Sequence, residues 1–123
     1  MNAPTSHKQP SQRQLRVGEE LRHILASIIL RNDWPSGETL SPLTVTRVDM
    51  SPDLQNALVF FMPLGGEKQE ETLLFLKENV GYLRKMMGKN ITLRRVPMLR
   101  FVLDDTFEKA ERMERLFKSV QPC

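Results

Sequence analysis

The chain has 123 residues, 40% hydrophobic and 27% charged, with a formal net charge of +3. That composition suits one soluble globular domain and leaves little room for a deep cleft between two lobes. The single cysteine, Cys123, excludes an intrachain disulfide and fits a reducing cytoplasm, and no apolar run approaches the length of a membrane span.

Residues 1–10 are polar, include Pro4 and Pro10, and lack the apolar stretch of a secretory signal. They read as a disordered tail. Ser11-x-x-Gln14 is a capping box that predicts a helix start. Val17, Leu21, Ile24, Leu25 and Ile28 follow at helical spacing, so the first helix should end near Asn32. Trp34-Pro35-Ser36-Gly37 reads as a loop. Leu43 to Met50 is β-branched and partly alternating, a strand pattern. Ser51-Pro52-Asp53-Leu54 is a turn. Asn56 to Met62 reads as a second strand, antiparallel to the first, whose near-continuous apolar character predicts burial on more than one side.

Glu67 to Gly88 is helical in period, with Leu73, Leu76, Val80, Leu83 and Met87 on one stripe. Gly81 interrupts that pattern. A glycine weakens a helix interior by roughly 1 kcal/mol relative to alanine, which predicts two helices meeting at a kink. Ile91 to Leu103 reads as a third strand, with Pro97 at an edge or bulge. Asp105-x-x-Glu108 is placed to cap a last helix with Phe107, Ala110, Met113 and Phe117 facing inward. The fold class is therefore α+β, two-layer, with a three-stranded sheet packed by helices. The domain should span 11–118, between the tail 1–10 and a short tail 119–123.

Catalytic sets are missing from the pattern. There is no nucleophile elbow, phosphate loop or dinucleotide fingerprint. His7 lies in the tail and His23 beside the first helix stripe, so no zinc site is expected. Asp53 reads as a turn residue, and Asp104 or Asp105 as a helix cap. The reading is a non-enzyme with no catalytic residue, metal, cofactor or small-molecule substrate.

Charge is concentrated instead. From Lys77 to Arg100 there are seven bases against one acid, Glu78, a net of +6, so the rest of the chain carries −3. Such a local field selects a polyanion. Tyr82 is the only possible stacking ring in that stretch, so contact through backbone and shape is better supported than base stacking.

Several motifs then fall in order. They are Arg16-Val17; Val45-Thr46-x-Val48-x-x-Ser51-x-Asp53-Leu54-x-x-Ala57; Gly81-x-Leu83-Arg84; and Leu93-Arg94-x-Val96-Pro97-x-Leu99-x-Phe101-x-x-Asp104. Over roughly residues 11–118 the chain resembles the bacterial ribosome-binding factor A family. The resemblance implies a type II KH-like fold in which an interhelical kink, Ala-x-Gly, replaces the Gly-x-x-Gly loop. Here the kink residues are Asn79, Val80 and Gly81, with asparagine where alanine is usual. It also implies a cytoplasmic factor that binds the free 30S subunit and 16S rRNA, assists late subunit maturation and 16S 5′-end processing, and is linked to growth in the cold.

On that basis Arg84, Lys85 and Lys89 are expected to contact phosphates, and Arg94 and Arg95 to extend the surface. Lys77 and Arg16 lie at its margin. For Arg94 a salt bridge to an acid such as Asp104 is the competing role. No spare apolar stripe asks for a partner, so a monomer is expected. A general single-stranded RNA-binding regulator, or a module whose basic face meets an acidic protein, are the alternatives.

Overall fold

The first helix starts where its cap places it. Ser11 Oγ accepts from the Gln14 amide at 3.1 Å, and Gln14 Oε1 accepts from the Ser11 amide at 2.8 Å. This reciprocal box opens α1, Gln12–Arg31. The coordinates are a computed structural model, and it describes residues 9–64 and 68–105. Asn32 closes α1 in left-handed backbone, φ 53°, which asparagine tolerates. Its side chain then organises the following loop. Oδ1 accepts from the Trp34 ring at 2.6 Å and from the Leu40 amide at 2.8 Å, while Nδ2 donates to the Leu40 carbonyl at 3.0 Å. Trp34, read from sequence only as a loop residue, is thereby buried in the core.

The hairpin forms as expected. β1, Leu43–Met50, pairs antiparallel with β2, Asn56–Pro63. The register slips between Val45 and Arg47, which leaves a bulge at Thr46. The Thr46 hydroxyl donates to the Asp104 carboxylate and lies 3.3 Å from the Phe60 carbonyl oxygen. β3, Met98–Leu103, runs parallel to β2, from Asn56↔Met98 to Phe61↔Leu103. The sheet order is β1-β2-β3. This central place explains the apolar run of β2. Ala57, Val59 and Phe61 are buried under the helices, and on the other face Phe60 and Met62 are half-buried while Leu58 is exposed.

The third strand is shorter than the expected Ile91 to Leu103. Residues 91–97 are not strand. Pro97 has no N–H to give a ladder. The carbonyls of Val96 and Pro97 accept from the Arg84 guanidinium at 2.9 and 3.0 Å, so those acceptors face α3 instead of a neighbouring strand.

The second helical stretch divides into α2, Gln69–Glu78, and α3, Val80–Gly88. The three helices among the described residues pack on one face of the sheet, α1 over β1 and α2 over β3, with α3 beside α1. Leu21, Leu25, Leu76, Leu83 and Met87 are fully enclosed there. Four of the expected core residues, Ile24, Leu73, Val80 and Leu103, are half-buried at its margin. The expected last helix with Phe107, Ala110, Met113 and Phe117, the short tail 119–123 and most of the tail 1–10 lie outside the described residues.

Candidate nucleic-acid interface

The kink is made by asparagine. Of the three kink residues, Asn79 alone departs from helix, with φ −105° and ψ 16°. Its Nδ2 donates to the Phe75 carbonyl at 2.9 Å, and its backbone N–H donates to Phe75 and Leu76 carbonyls at 3.1 and 3.2 Å. Its own carbonyl accepts from the Leu83 amide at 3.0 Å. Hydrogen bonding thus carries through the break, which produces a bend and not a loop. Val80 and Gly81 are the first two residues of α3. A Cβ on Gly81 would meet nothing within 4 Å. Gly81 is therefore helical and bare, and the irregular backbone belongs to Asn79.

Two residues of the basic stretch have structural duties. Tyr82, the one aromatic available for stacking, is half-buried. Its ring lies 5.7 Å from that of Trp34, and its hydroxyl donates to the Asp33 carbonyl at 2.7 Å. It belongs to the packing of α3 against the 32–34 loop. Arg84 is half-buried too, and its fork fastens α3 to the 91–97 segment through the Val96 and Pro97 carbonyls. A Cβ on Gly88 would lie 3.0 Å from Val96 Cγ2, so the end of α3 lies close on the same segment. Arg84 is thus a tether between α3 and the 91–97 segment, whatever its remaining donors meet.

The other expected residues are exposed. Lys85 and Lys89 stand at the end of α3, Lys77 in the last turn of α2, and Arg16 on α1. Arg94 makes no ion pair among the described residues, and Asp104 is met by Thr46. Arg94 and Arg95 share a shallow depression of about 430 Å³ with Leu93 and the 52–55 turn, and its remaining wall is Arg13. Arg13 was not singled out from the sequence, because it is eighty-odd positions from its neighbours and only the fold joins them. Arg16 and Lys77 do not line that depression. Arg100 faces the other side of the sheet, beside Asp49, Leu58 and Met98.

The 52–55 turn is held by its own polar groups. Asp53 Oδ1 accepts from Ser51 Oγ at 2.7 Å and from the Gln55 amide at 3.0 Å. The Ser51 hydroxyl first, and then the Gln55 amide, hold the Asp53 carboxyl below the ordinary carboxylate range. Leu54 takes φ 61°, an unusual backbone for a bulky side chain. Among the described residues no three His, Cys, Asp or Glu side chains gather to hold a metal ion, and no helix is long and apolar enough to cross a membrane.

Comparison with known proteins adds a family. The family model described as Ribosome-binding factor A matches residues 13–117. The Ribosome-binding factor A of Paracoccus denitrificans (strain Pd 1222) is 46% identical over 108 residues, covering 87% of this chain and 78% of the relative. The crystal structure of ribosome-binding factor A from Thermus thermophilus superposes with a TM-score of 0.64 at 24% identity, over 73% of this chain and 93% of that one. A Thermus thermophilus ribosome-binding factor A homology model, fitted into a cryo-EM map of its 30S complex, matches with a TM-score of 0.58 at 24% identity, over 72% of this chain and 91% of that one. At such identities the solved structures support the α+β fold alone.

Proposed function

The chain belongs to the ribosome-binding factor A family, and from that premise we propose that it is a non-enzymatic assembly factor that binds the 30S subunit through 16S rRNA. The observation that carries this reading is the exposed, acid-free run Lys85, Lys89, Arg94 and Arg95. No acid occurs between Glu78 and Asp104, and none of the four bases is in an ion pair among the described residues. Bases in this state are available to phosphates and release counterions on binding. Arg16 and Lys77 flank the surface, and Arg84 positions the segment that carries Arg94 and Arg95. In this reading the Asn79-Val80-Gly81 kink stands where a KH domain has its Gly-x-x-Gly loop. With Tyr82 held in the packing, recognition runs through backbone phosphates and RNA shape, not through base stacking. The factor acts in the cytoplasm as a monomeric domain over 11–118. It promotes late maturation of the particle, including 16S 5′-end processing, and supports growth in the cold.

Co-sedimentation with separated 30S, 50S and 70S particles at low and moderate salt tests the reading. Selective, salt-sensitive retention on 30S, lost in a Lys85→Glu/Lys89→Glu variant, is expected. Equal retention on all particles, or none, would overturn it. Binding to short single-stranded oligonucleotides as tight as to 30S would favour a general RNA regulator instead.

A further inference from the structure

We infer that Arg13, Arg94 and Arg95 form one seat for a backbone phosphate of the RNA strand, an inference that rests on the function proposed above. Three observations lead there. First, these three side chains come from two distant stretches of chain and line one depression of about 430 Å³. Second, the described arginines elsewhere include several that are spent: Arg22 on Glu19, Arg47 on Asp49 and the Phe60 ring, Arg84 on two carbonyls. No hydrogen bond or ion pair within the described residues engages the side chain of Arg13, Arg94 or Arg95. Third, the first turn of α1 holds no acid and carries Arg13. A cation at a helix N-terminus opposes the helix dipole, and an anion bound beside it relieves both that conflict and the mutual repulsion of the arginines.

Asp53 is the one acid on the wall. Its Oδ1 serves the turn by accepting from Ser51 and Gln55. Its charge subtracts from the field of the seat without pairing to an arginine. Leu54 and Leu93 also line the depression, and their apolar surface suits the sugar of the same nucleotide. The planar fork of arginine matches phosphate oxygens in pairs, which a lysine surface does not do. The seat would therefore fix the position of the strand, whereas Lys85 and Lys89 supply long-range attraction.

The test measures equilibrium binding of the full chain to 30S particles across a potassium chloride series. Wild type is compared with Arg13→Gln, Arg95→Gln, Asp53→Asn and Lys85→Gln/Lys89→Gln. Arg13→Gln and Arg95→Gln should each weaken binding about tenfold and make the salt slope shallower by about one. Asp53→Asn keeps an Oδ1 acceptor for the turn and removes the charge, so binding should tighten about threefold. An Arg13→Gln protein equal to wild type in affinity and slope overturns the seat, as does an Asp53→Asn protein that binds no tighter. Inorganic phosphate should compete with 30S better than chloride at matched ionic strength in wild type and lose that advantage in Arg13→Gln; an advantage unchanged in Arg13→Gln overturns the seat. Failure of wild type to bind 30S would sink the proposed function itself. Loss in the lysine variant with no change in Arg13→Gln would leave that function standing and remove only the seat.

Discussion

At the seam between α1 and β1, a Cβ on Gly18 would lie 2.4 Å from the Val48 carbonyl oxygen. At the start of α3, a Cβ on Gly81 would meet nothing within 4 Å. Both glycines are helical and neither needs left-handed backbone. Gly18 exists because a helix rests directly on the backbone of a strand, and the obstacle is a carbonyl that cannot rotate aside. Gly81 satisfies no contact within the described domain and weakens its own helix. The fold explains the first glycine, and no contact among the described residues explains the second. Under the function proposed above, RNA is what this bare start of α3 would receive.

That contrast can be broken by substitution. Gly18→Ala should cost about 3 kcal/mol, the upper end of overpacking, because the added methyl must move backbone. Urea unfolding would measure it, and a midpoint unchanged from wild type would show that α1 can lift off β1 without loss. Arg84→Gln tests whether the kink region has a seam of its own. It removes two charge-assisted bonds to carbonyls and should cost about 2 kcal/mol. Loosening should concentrate in residues 91–97, where amide exchange would speed up most. Exchange that rises evenly across the domain would deny Arg84 its tethering role. Gly81→Ala should have the smallest effect and the opposite sign, raising stability by about 1 kcal/mol. If the variant also binds 30S less well, the bare surface receives RNA; if stability falls, the space at Gly81 is not free.

Much of the fold could be read before it was seen, and the reasons are local. The Ser11/Gln14 box, the apolar stripe of α1 and the 51–54 turn each depend on residues within a few positions of one another. The kink was visible through Gly81, although the residue that bends is Asn79, whose side chain bonds the preceding turn. The family resemblance supplied the partner, which periodicity alone does not contain. What stayed hidden depends on distance through space. The parallel pairing of β3 with β2 is set by the α2–α3 crossover. The end of the strand at Met98 reflects two carbonyls taken by Arg84. At the site, Lys85 and Lys89 are exposed, while Arg84 and Tyr82 turn inward because the 96–97 carbonyls and the Asp33 carbonyl lie within their reach. Arg13 joined Arg94 and Arg95 only through the docking of α1 on the sheet.

The two outer strands have one more consequence. β1 carries the bulge at Thr46, which interrupts its ladder and is held by Asp104. β3 is preceded by Pro97, which offers no donor, and Val96 and Pro97 have already given their carbonyls to Arg84. Irregular or proline-bearing borders discourage a foreign strand from zipping onto a sheet. Strand addition is therefore discouraged at the bulged stretch of β1 and just ahead of Met98, and so is edge-to-edge aggregation of copies of the chain there.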